Sequence, residues 1–327
     1  MIMRVLRLAA AAATFGLAFG QTFALADTAA WPVRGGQIIV PYAAGGITDL
    51  LARGLAQKIS ERSGHSFIIV NRPGANSQIG TEAAAKAPAD GYTLLVTADT
   101  TFTANPALYP KIKYELSDFE PVSGLGISPH ALVVHPDVPA KNFAELIEFA
   151  KKNPQQAFYG TFGSGSSGHL NILNVQKQTG ASFTPVHYSG ASPAINDLLG
   201  GHIKLMTVSI GLIAGPWEAG KLKVLAFGSD KRLEKFPDMP IMAETLRGFE
   251  AGSWYALFAP KGTPPAIVEK ISMETQAIFN DPAFQSQFLA PSYTYSIARG
   301  PKELAERIRT DYDRFRQIIV DAKVTAE

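Results

Sequence analysis

Residues 38–51 read Ile-Ile-Val-Pro-Tyr-Ala-Ala-Gly-Gly-Ile-Thr-Asp-Leu-Leu. An apolar strand runs into a Gly-Gly turn, and the turn opens into a helix that starts with Thr48 and Asp49. Strand, turn and helix in this order form the repeating unit of an α/β fold. The first N–H groups of a helix lack intrahelical partners and carry the positive end of its dipole. Glycines ahead of them let a ligand approach the bare backbone. Such a turn suits an anion without requiring an arginine. Asp49 fits the first helical turn as a capping carboxylate; a catalytic carboxylate is the competing reading, and capping is compatible with a place in a site.

The pattern continues outward from this stretch. Residues 37–41, 67–70, 93–98, 130–135, 157–162, 203–209, 222–227 and 253–260 read as strands. Ile47, Leu50, Leu51, Leu55 and Ile59 fall at helical spacing, which buries one face of 47–61. Helices are predicted over 141–152, 168–178 and 192–199. Two more close the chain, one built on Ile267, Val268, Ile271, Ile278 and Phe279, the other on Leu304, Ile308, Tyr312, Phe315 and Ile319. Residues 158–173, Phe-Tyr-Gly-Thr-Phe-Gly-Ser-Gly-Ser-Ser-Gly-His-Leu-Asn-Ile-Leu, repeat strand, Gly-rich turn and helix. Such units recur in any α/β protein, and they are equally what two lobes facing one cleft would give, since ligands in open α/β sheets sit beyond the strand C-termini. Two helix starts, one per lobe, would suit a small molecule with two acidic ends. Lobe borders near 126 and 253 are expected. Residues 27–126 and 254–327 then form a discontinuous first lobe, and 127–253 the second.

Composition narrows the function. Of 327 residues, 30 are Lys or Arg and 28 Asp or Glu, a net charge of +2 with the basic residues scattered. Nucleic acid is not an expected partner. There is no cysteine, which excludes disulfides, zinc–thiolate sites and cysteine nucleophiles. Arg4 and Arg7, an alanine-rich apolar stretch and Ala24-Leu25-Ala26 before Asp27 make residues 1–26 a signal peptide. The stretch is short for a membrane anchor, and no later segment is long and apolar enough to span a bilayer. The expectation is a soluble exported protein, in a periplasm or secreted.

Other chemistries fit poorly. Gly163-Ser164-Gly165-Ser166-Ser167-Gly168 matches a dinucleotide fingerprint, but no acidic residue follows at ribose distance in 183–191. No P-loop occurs. Ser164, Ser166 and Ser167 are out of register for a nucleophile elbow, and neither a base nor an orienting carboxylate for His169 can be placed. His65, His130, His135, His169, His187 and His202 show no zinc-ligand spacing, so neither a metal nor a cofactor is expected. Arg72 lies in a Pro-Gly turn, and Trp31, Trp217 and Trp254 are dispersed packing residues. The alternatives to a binding protein are an exported hydrolase or dehydrogenase using the same cleft, and a structural or adhesion protein.

Taken in order, several segments resemble a known family: Trp31-Pro32, Val40 to Asp49, Val70-Asn71-Arg72-Pro73-Gly74-Ala75, Ala89-Asp90-Gly91-Tyr92-Thr93-Leu94-Leu95 and Asn105-Pro106-Ala107-Leu108-Tyr109. So do Tyr159-Gly160, Gly163-Ser164-Gly165, Gly168-His169-Leu170, Val186-His187-Tyr188, Leu198-Leu199-Gly200-Gly201, Ala219-Gly220-Lys221-Leu222 and Ala259 to Pro264. They resemble the extracytoplasmic solute receptors of the tripartite tricarboxylate transporter (TctC-like), or Bordetella uptake gene (Bug), family. The resemblance implies a periplasmic binding protein-like fold, two α/β lobes joined by hinge strands, closing over a small organic anion without catalysis. It implies first-lobe contacts from Tyr42, Ala43, Gly45, Gly46, Ile47, Thr48 and Asp49, with Thr97, Ala98 and Thr100 lining the cleft. From the second lobe it implies Ser164, Gly165, Ser166, Ser167 and His169, with Tyr188, Gly190 and Ala191 approaching. The implied partners are one large and one small permease subunit, or a sensor kinase, and a monomeric receptor.

One position departs from the family pattern. Members often carry Met-Phe-Asp where this chain has Met206-Thr207-Val208, and that Asp meets a ligand ammonium in amino-acid-binding members. An ammonium beside Val208 would be poorly compensated. The expected ligand is therefore a dicarboxylate, a tricarboxylate or an aromatic carboxylate, not aspartate or glutamate.

Overall fold

The computed structural model describes residues 31–325. The expected signal peptide lies outside these residues, as do the first residues of the expected first lobe. In chain order the elements are β1 (Gly36–Val40), α1 (Ile47–Ser63), β2 (Phe67–Asn71), α2 (Gln78–Ala85), β3 (Thr93–Ala98), α3 (Thr100–Thr103), α4 (Asn105–Leu108) and β4 (Phe119–Val134). Then come α5 (Phe143–Lys152), β5 (Phe158–Thr161), α6 (Ser167–Thr179), β6 (Thr184–His187), α7 (Ala191–Leu199), β7 (Leu205–Ser209), α8 (Ile210–Glu218) and β8 (Lys223–Phe227). The chain closes with β9 (Gly252–Pro260), α9 (Pro265–Phe279), α10 (Pro282–Phe284), β10 (Tyr295–Ser296) and α11 (Pro301–Asp321).

The strands join in the order β2-β1-β3-β9-β4-β7-β5-β6, with β8 and β10 also on β4. Strand β4 belongs to two sheets. From Phe119↔Pro260 to Pro129↔Gly252 it runs antiparallel to β9, and from His130↔Ser209 onward it pairs with β7 and then β8. On the first side β1 lies between its parallel neighbours β2 and β3. On the second, β5 lies between its parallel neighbours β6 and β7. The two Gly-rich turns noted in the sequence therefore leave equivalent central strands, each at a point where strand order reverses. The result is the two-lobed α/β fold expected from the sequence.

The central strands of each sheet are covered on both faces, which is why β1, β3 and the second half of β4 read as nearly continuous apolar runs. Ile38 and Val40 pack with Leu51, Leu55, Ile59, Ile271 and Phe279, and Ile39 turns to the other face with Leu95, Phe258, Leu304 and Ile308. Beyond the partner change, Leu132 and Val134 face Leu146, Ile172 and Val175, while Ala131 and Val133 face Leu198, Ile210 and Ile213.

Several elements were not legible in the sequence. Strand β4 begins at Phe119, far upstream of the predicted 130–135. Pro121, Gly124, Gly126 and Pro129 break its pattern, and its register shifts between Pro121 and Ser123 and again between Gly124 and Gly126. A side chain at Gly124 would strike the Ile297 carbonyl, at 2.7 Å. Helix α8 carries Pro216 and two glycines, and β6 carries Pro185, so propensity argues against both until packing imposes them.

Candidate ligand-binding site

The β1–α1 turn is held from behind and open in front. Gly46 precedes α1 and provides no side-chain cap, so the first-turn N–H groups have no side-chain acceptor. Gly45 has φ +89°, a left-handed conformation that favours glycine, and a Cβ built on it meets nothing within 4 Å. The Cβ of Gly46 would meet only the Ala43 carbonyl, at 4.0 Å. Ala43, Gly45 and Gly46 are exposed, Tyr42 and Ile47 half-buried, and Thr48 buried.

Asp49 supplies the support. Its carboxylate is buried; Oδ2 accepts from the Gly45 N–H at 2.9 Å and from Arg53 Nε at 2.8 Å, and Oδ1 accepts from Asn71 Nδ2 at 2.9 Å. The Asn71 amide also donates to the Tyr42 carbonyl, at 3.1 Å. Burial alone would raise this carboxyl, but Arg53, the Gly45 N–H and Asn71 together hold it below the usual range. Asp49 is thus a fixed anion that shapes the turn from the Gly45 N–H ahead of the helix, and it leaves the first-turn N–H groups that the sequence reading had it cap without a side-chain acceptor.

Beside the turn lies a set of hydroxyls. Thr101 Oγ1 is 3.1 Å from the Tyr42 phenol, 2.9 Å from Ser77 Oγ and 2.7 Å from Thr97 Oγ1. Asn105 donates to Ser77 Oγ and to the Asn76 carbonyl, and Asn76 donates back to Asn105 Oδ1. Ala75, Asn76 and Ser77 all have positive φ, a run that a chain adopts only when its surroundings demand it. Of the residues expected on this edge, Thr97 is fully buried, and Ala98 and Thr100 are half-buried. Sequence reading missed Ser77, Thr101 and Asn105, which carry no glycine signal.

The second turn spends its polar groups internally. Ser166 caps α6 by accepting from the His169 N–H, at 3.4 Å, and His169 Nδ1 accepts from the Gly165 N–H at 3.1 Å. His169 is thereby an Nε2–H tautomer; burial first, and the neighbouring His187 second, push its pKa down to about 4. Ser164 donates to the Thr325 carbonyl, and Ser167 pairs with Ser253 at 3.0 Å. Gly165 has φ +73°, and a Cβ there would lie 2.3 Å from Leu108 Cδ2 of α4. The second-lobe turn therefore rests on the first lobe. Leu108 and Ala104 share a cluster with Leu170 of α6 and with Phe315, Ile318 and Ile319 of α11.

Where β4 changes partners, a buried chain runs from Ser253 to His130 Nε2, at 3.3 Å, and from His130 Nδ1 to Asn171 Nδ2, at 3.2 Å. Burial pushes His130 down to about 4. Ser128 pairs with Ser209 alongside. Tyr188 donates to Asp197 Oδ2, at 2.6 Å, while Gly190 leaves α7 without a side-chain cap and Ala191 starts that helix half-buried. Val208 is buried in the apolar cluster with Ala131, Ile210 and Ile213. Among the described residues no three His, Asp or Glu side chains converge to hold a metal, and no helix is long and apolar enough to cross a membrane.

Residues 51–323 match the family described as the tripartite tricarboxylate transporter family receptor, TctC. The chain belongs to this family. It is 36% identical over 276 residues to BugT of Bordetella pertussis, covering 84% of each chain. Among solved structures it resembles Rpa4515 of R. palustris with adipate, at 30% identity and a TM-score of 0.83, covering 91% of this chain and all of that one. It also resembles MatC of Rhodopseudomonas palustris with bound malate, at 28% identity and a TM-score of 0.77, covering 88% of this chain and all of the other. As a TctC-family protein the chain is a solute-binding receptor.

Proposed function

We propose that this receptor works in the periplasm, captures a small organic carboxylate between its lobes and presents it to the membrane permease of a tripartite transporter. The observation that carries the reading is the α1 start: bare N–H groups behind Gly45 and Gly46, open in front and fixed from behind by Asp49. Such a turn binds a carboxylate through backbone donors and the helix dipole. The adipate and malate held by two structural neighbours are dicarboxylates, and they favour that class here. A tricarboxylate and an aromatic carboxylate belong to the same reading. We assign the second contact to the uncapped α7 start at Gly190–Ala191 and to the backbone of the 163–169 turn, whose Ser164, Ser166 and Ser167 hydroxyls are already engaged within the protein.

We assign the hinge to the partner change of β4 and the return into β9, close to residues 126 and 253. The lobes then close by bending at these strands, the hinge motion known for ligand-enclosing proteins. Catalysis is not part of the proposal. His130, whose Nε2 lies 3.3 Å from the Ser253 hydroxyl, has an Asn171 amide nitrogen against its other ring nitrogen, and Ser253 is buried at the lobe crossing. Such an arrangement suits a structural hydrogen bond, not an activated nucleophile.

A thermal-shift screen of the mature protein tests the reading, with adipate, malate, citrate, benzoate, aspartate and glutamate as probes. A ligand at 100 times its Kd stabilises by about 2.7 kcal/mol. The expected hit is a carboxylate without an ammonium group. A shift with the amino acids alone would refute the ligand class.

A further inference from the structure

We infer that Tyr255 is a ligand-binding residue whose phenol donates a hydrogen bond to the carboxylate held at the α1 start; this rests on the carboxylate reading above and deepens it. On β9, Tyr255 pairs with Ala98, the last residue of β3, and with Gly126 of β4. It therefore stands at the C-terminal edge of the parallel strands of the first lobe, where ligands of α/β sheets sit. Sequence reading placed it in a strand and had no reason to single it out.

Successive residues of a strand point to opposite faces of the sheet. Trp254, Ala256 and Phe258 belong to the cluster on the α11 side, whereas Tyr255, Leu257 and Ala259 belong to the cluster under α1. The half-buried members of that second cluster include Tyr42, which leads into the Gly-Gly turn, Ile47, the first residue of α1, and Ala98. The Tyr255 ring is thus packed against both sides of the turn that offers bare N–H groups.

Its hydroxyl is the unexplained group. Tyr255 is 6% exposed, and among the described residues no hydrogen bond reaches that hydroxyl. Nor is it one of the sealed side-chain atoms without a partner, as Asp99 Oδ1 is. The little exposure that Tyr255 keeps therefore includes the hydroxyl itself. Burial first, then the Asp99 carboxyl at the end of β3 and the Tyr42 phenol at the end of β1, push its pKa up, so it stays protonated and able to donate. A Tyr that buries its ring normally completes its O–H with a partner. The protein offers none here, in contrast to the Tyr42 phenol, which meets Thr101 Oγ1 at 3.1 Å. A carboxylate in front of α1 supplies the acceptor, and because the ring is already fixed, the bond costs little ordering.

The test is calorimetric titration of the mature protein with adipate, malate and citrate, for wild type, Tyr255→Phe and Tyr92→Phe, with melting temperatures alongside. For whichever probes bind, Tyr255→Phe should lose about tenfold or more in affinity, one hydrogen bond to a charged acceptor, with no fall in Tm because no internal bond is broken. Tyr92→Phe should do the reverse: its hydroxyl accepts the Val33 N–H at 3.1 Å, at the opposite edge of the sheet, so Tm falls and affinity stays. If wild type binds a probe and Tyr255→Phe binds it equally well, the assignment is overturned while the carboxylate reading stands. A loss of affinity that comes with a lower Tm in Tyr255→Phe also overturns it, since the hydroxyl would then serve an internal partner. If no probe binds wild type, the carboxylate reading fails and the assignment falls with it.

Discussion

The role given to Asp49 can be tested by removing its carboxylate in Asp49→Ala. Three hydrogen bonds are lost, from Gly45 N, Arg53 Nε and Asn71 Nδ2. They do not weigh equally. The Arg53 side chain is 53% exposed and rehydrates when its partner goes, so its share is small. The Gly45 N–H and the half-buried Asn71 lose a charged acceptor, at about 1.5–3 kcal/mol per bond before relaxation, so a net cost of about 3 kcal/mol is reasonable. For a chain of this size, with an unfolding entropy of about 0.6 kcal/mol/K, that is a fall in Tm of about 5 °C. The binding effect is separate. Gly45 and Gly46 are no longer held in place, and ordering them on binding costs about 1–2 kcal/mol each, a loss of roughly 30-fold or more in affinity. The assay is calorimetric titration below the melting range, with scanning calorimetry for Tm. A variant that melts lower but binds within twofold of wild type would refute the claim that Asp49 preorganises an anion-binding turn.

Other perturbations separate site from scaffold. Gly46→Val is tolerated by the fold, because φ is −79° and the space in front is open, yet its side chain fills the anion position; unchanged Tm with abolished binding is expected, and retained affinity would count against the site. His130 has its pKa pushed down to about 4, so in the unfolded chain it takes a proton first as pH drops below its usual value near 6.5. Stability is lost between pH 6.5 and 4, by roughly 3 kcal/mol from this group, and urea unfolding of His130→Asn against wild type should show a flatter decline over that window. Val208→Asp buries an unpaired carboxylate among Ala131, Ile210 and Ile213, a cost of several kcal/mol; a large drop in Tm is expected, and a stable variant that gains affinity for aspartate would instead place Val208 against the ligand.

Much of the fold was readable because the central strands are sandwiched between helices. Ile38, Ile39 and Val40 had to be apolar on both faces, and the helix behind them showed its buried stripe at Leu51, Leu55 and Ile59. What was not readable lay where geometry depends on distant partners. Strand β4 survives Pro121, Gly124, Gly126 and Pro129 because β9 pairs with it over almost its whole first-lobe length. The same limit applies to the site. A Gly-Gly turn announces itself, so the α1 start was visible. The sequence also suggested a matching serine-rich turn at 163–169, but whether those hydroxyls are free depends on partners such as Thr325 and Ser253, far away in the chain. The Ser77–Thr97–Thr101 set is assembled from the start of α2, the end of β3 and the helix α3, and leaves no local signature.

Backbone amide NMR of the α1 start addresses the central claim most directly. The mature, 15N-labelled protein would be titrated with the carboxylate that stabilises it most. The account expects the Gly46, Ile47 and Thr48 amide protons to move strongly downfield at saturation, as N–H groups do on meeting a carboxylate. Saturable binding that leaves these three amides unmoved, with shifts confined to other parts of the chain, would contradict it.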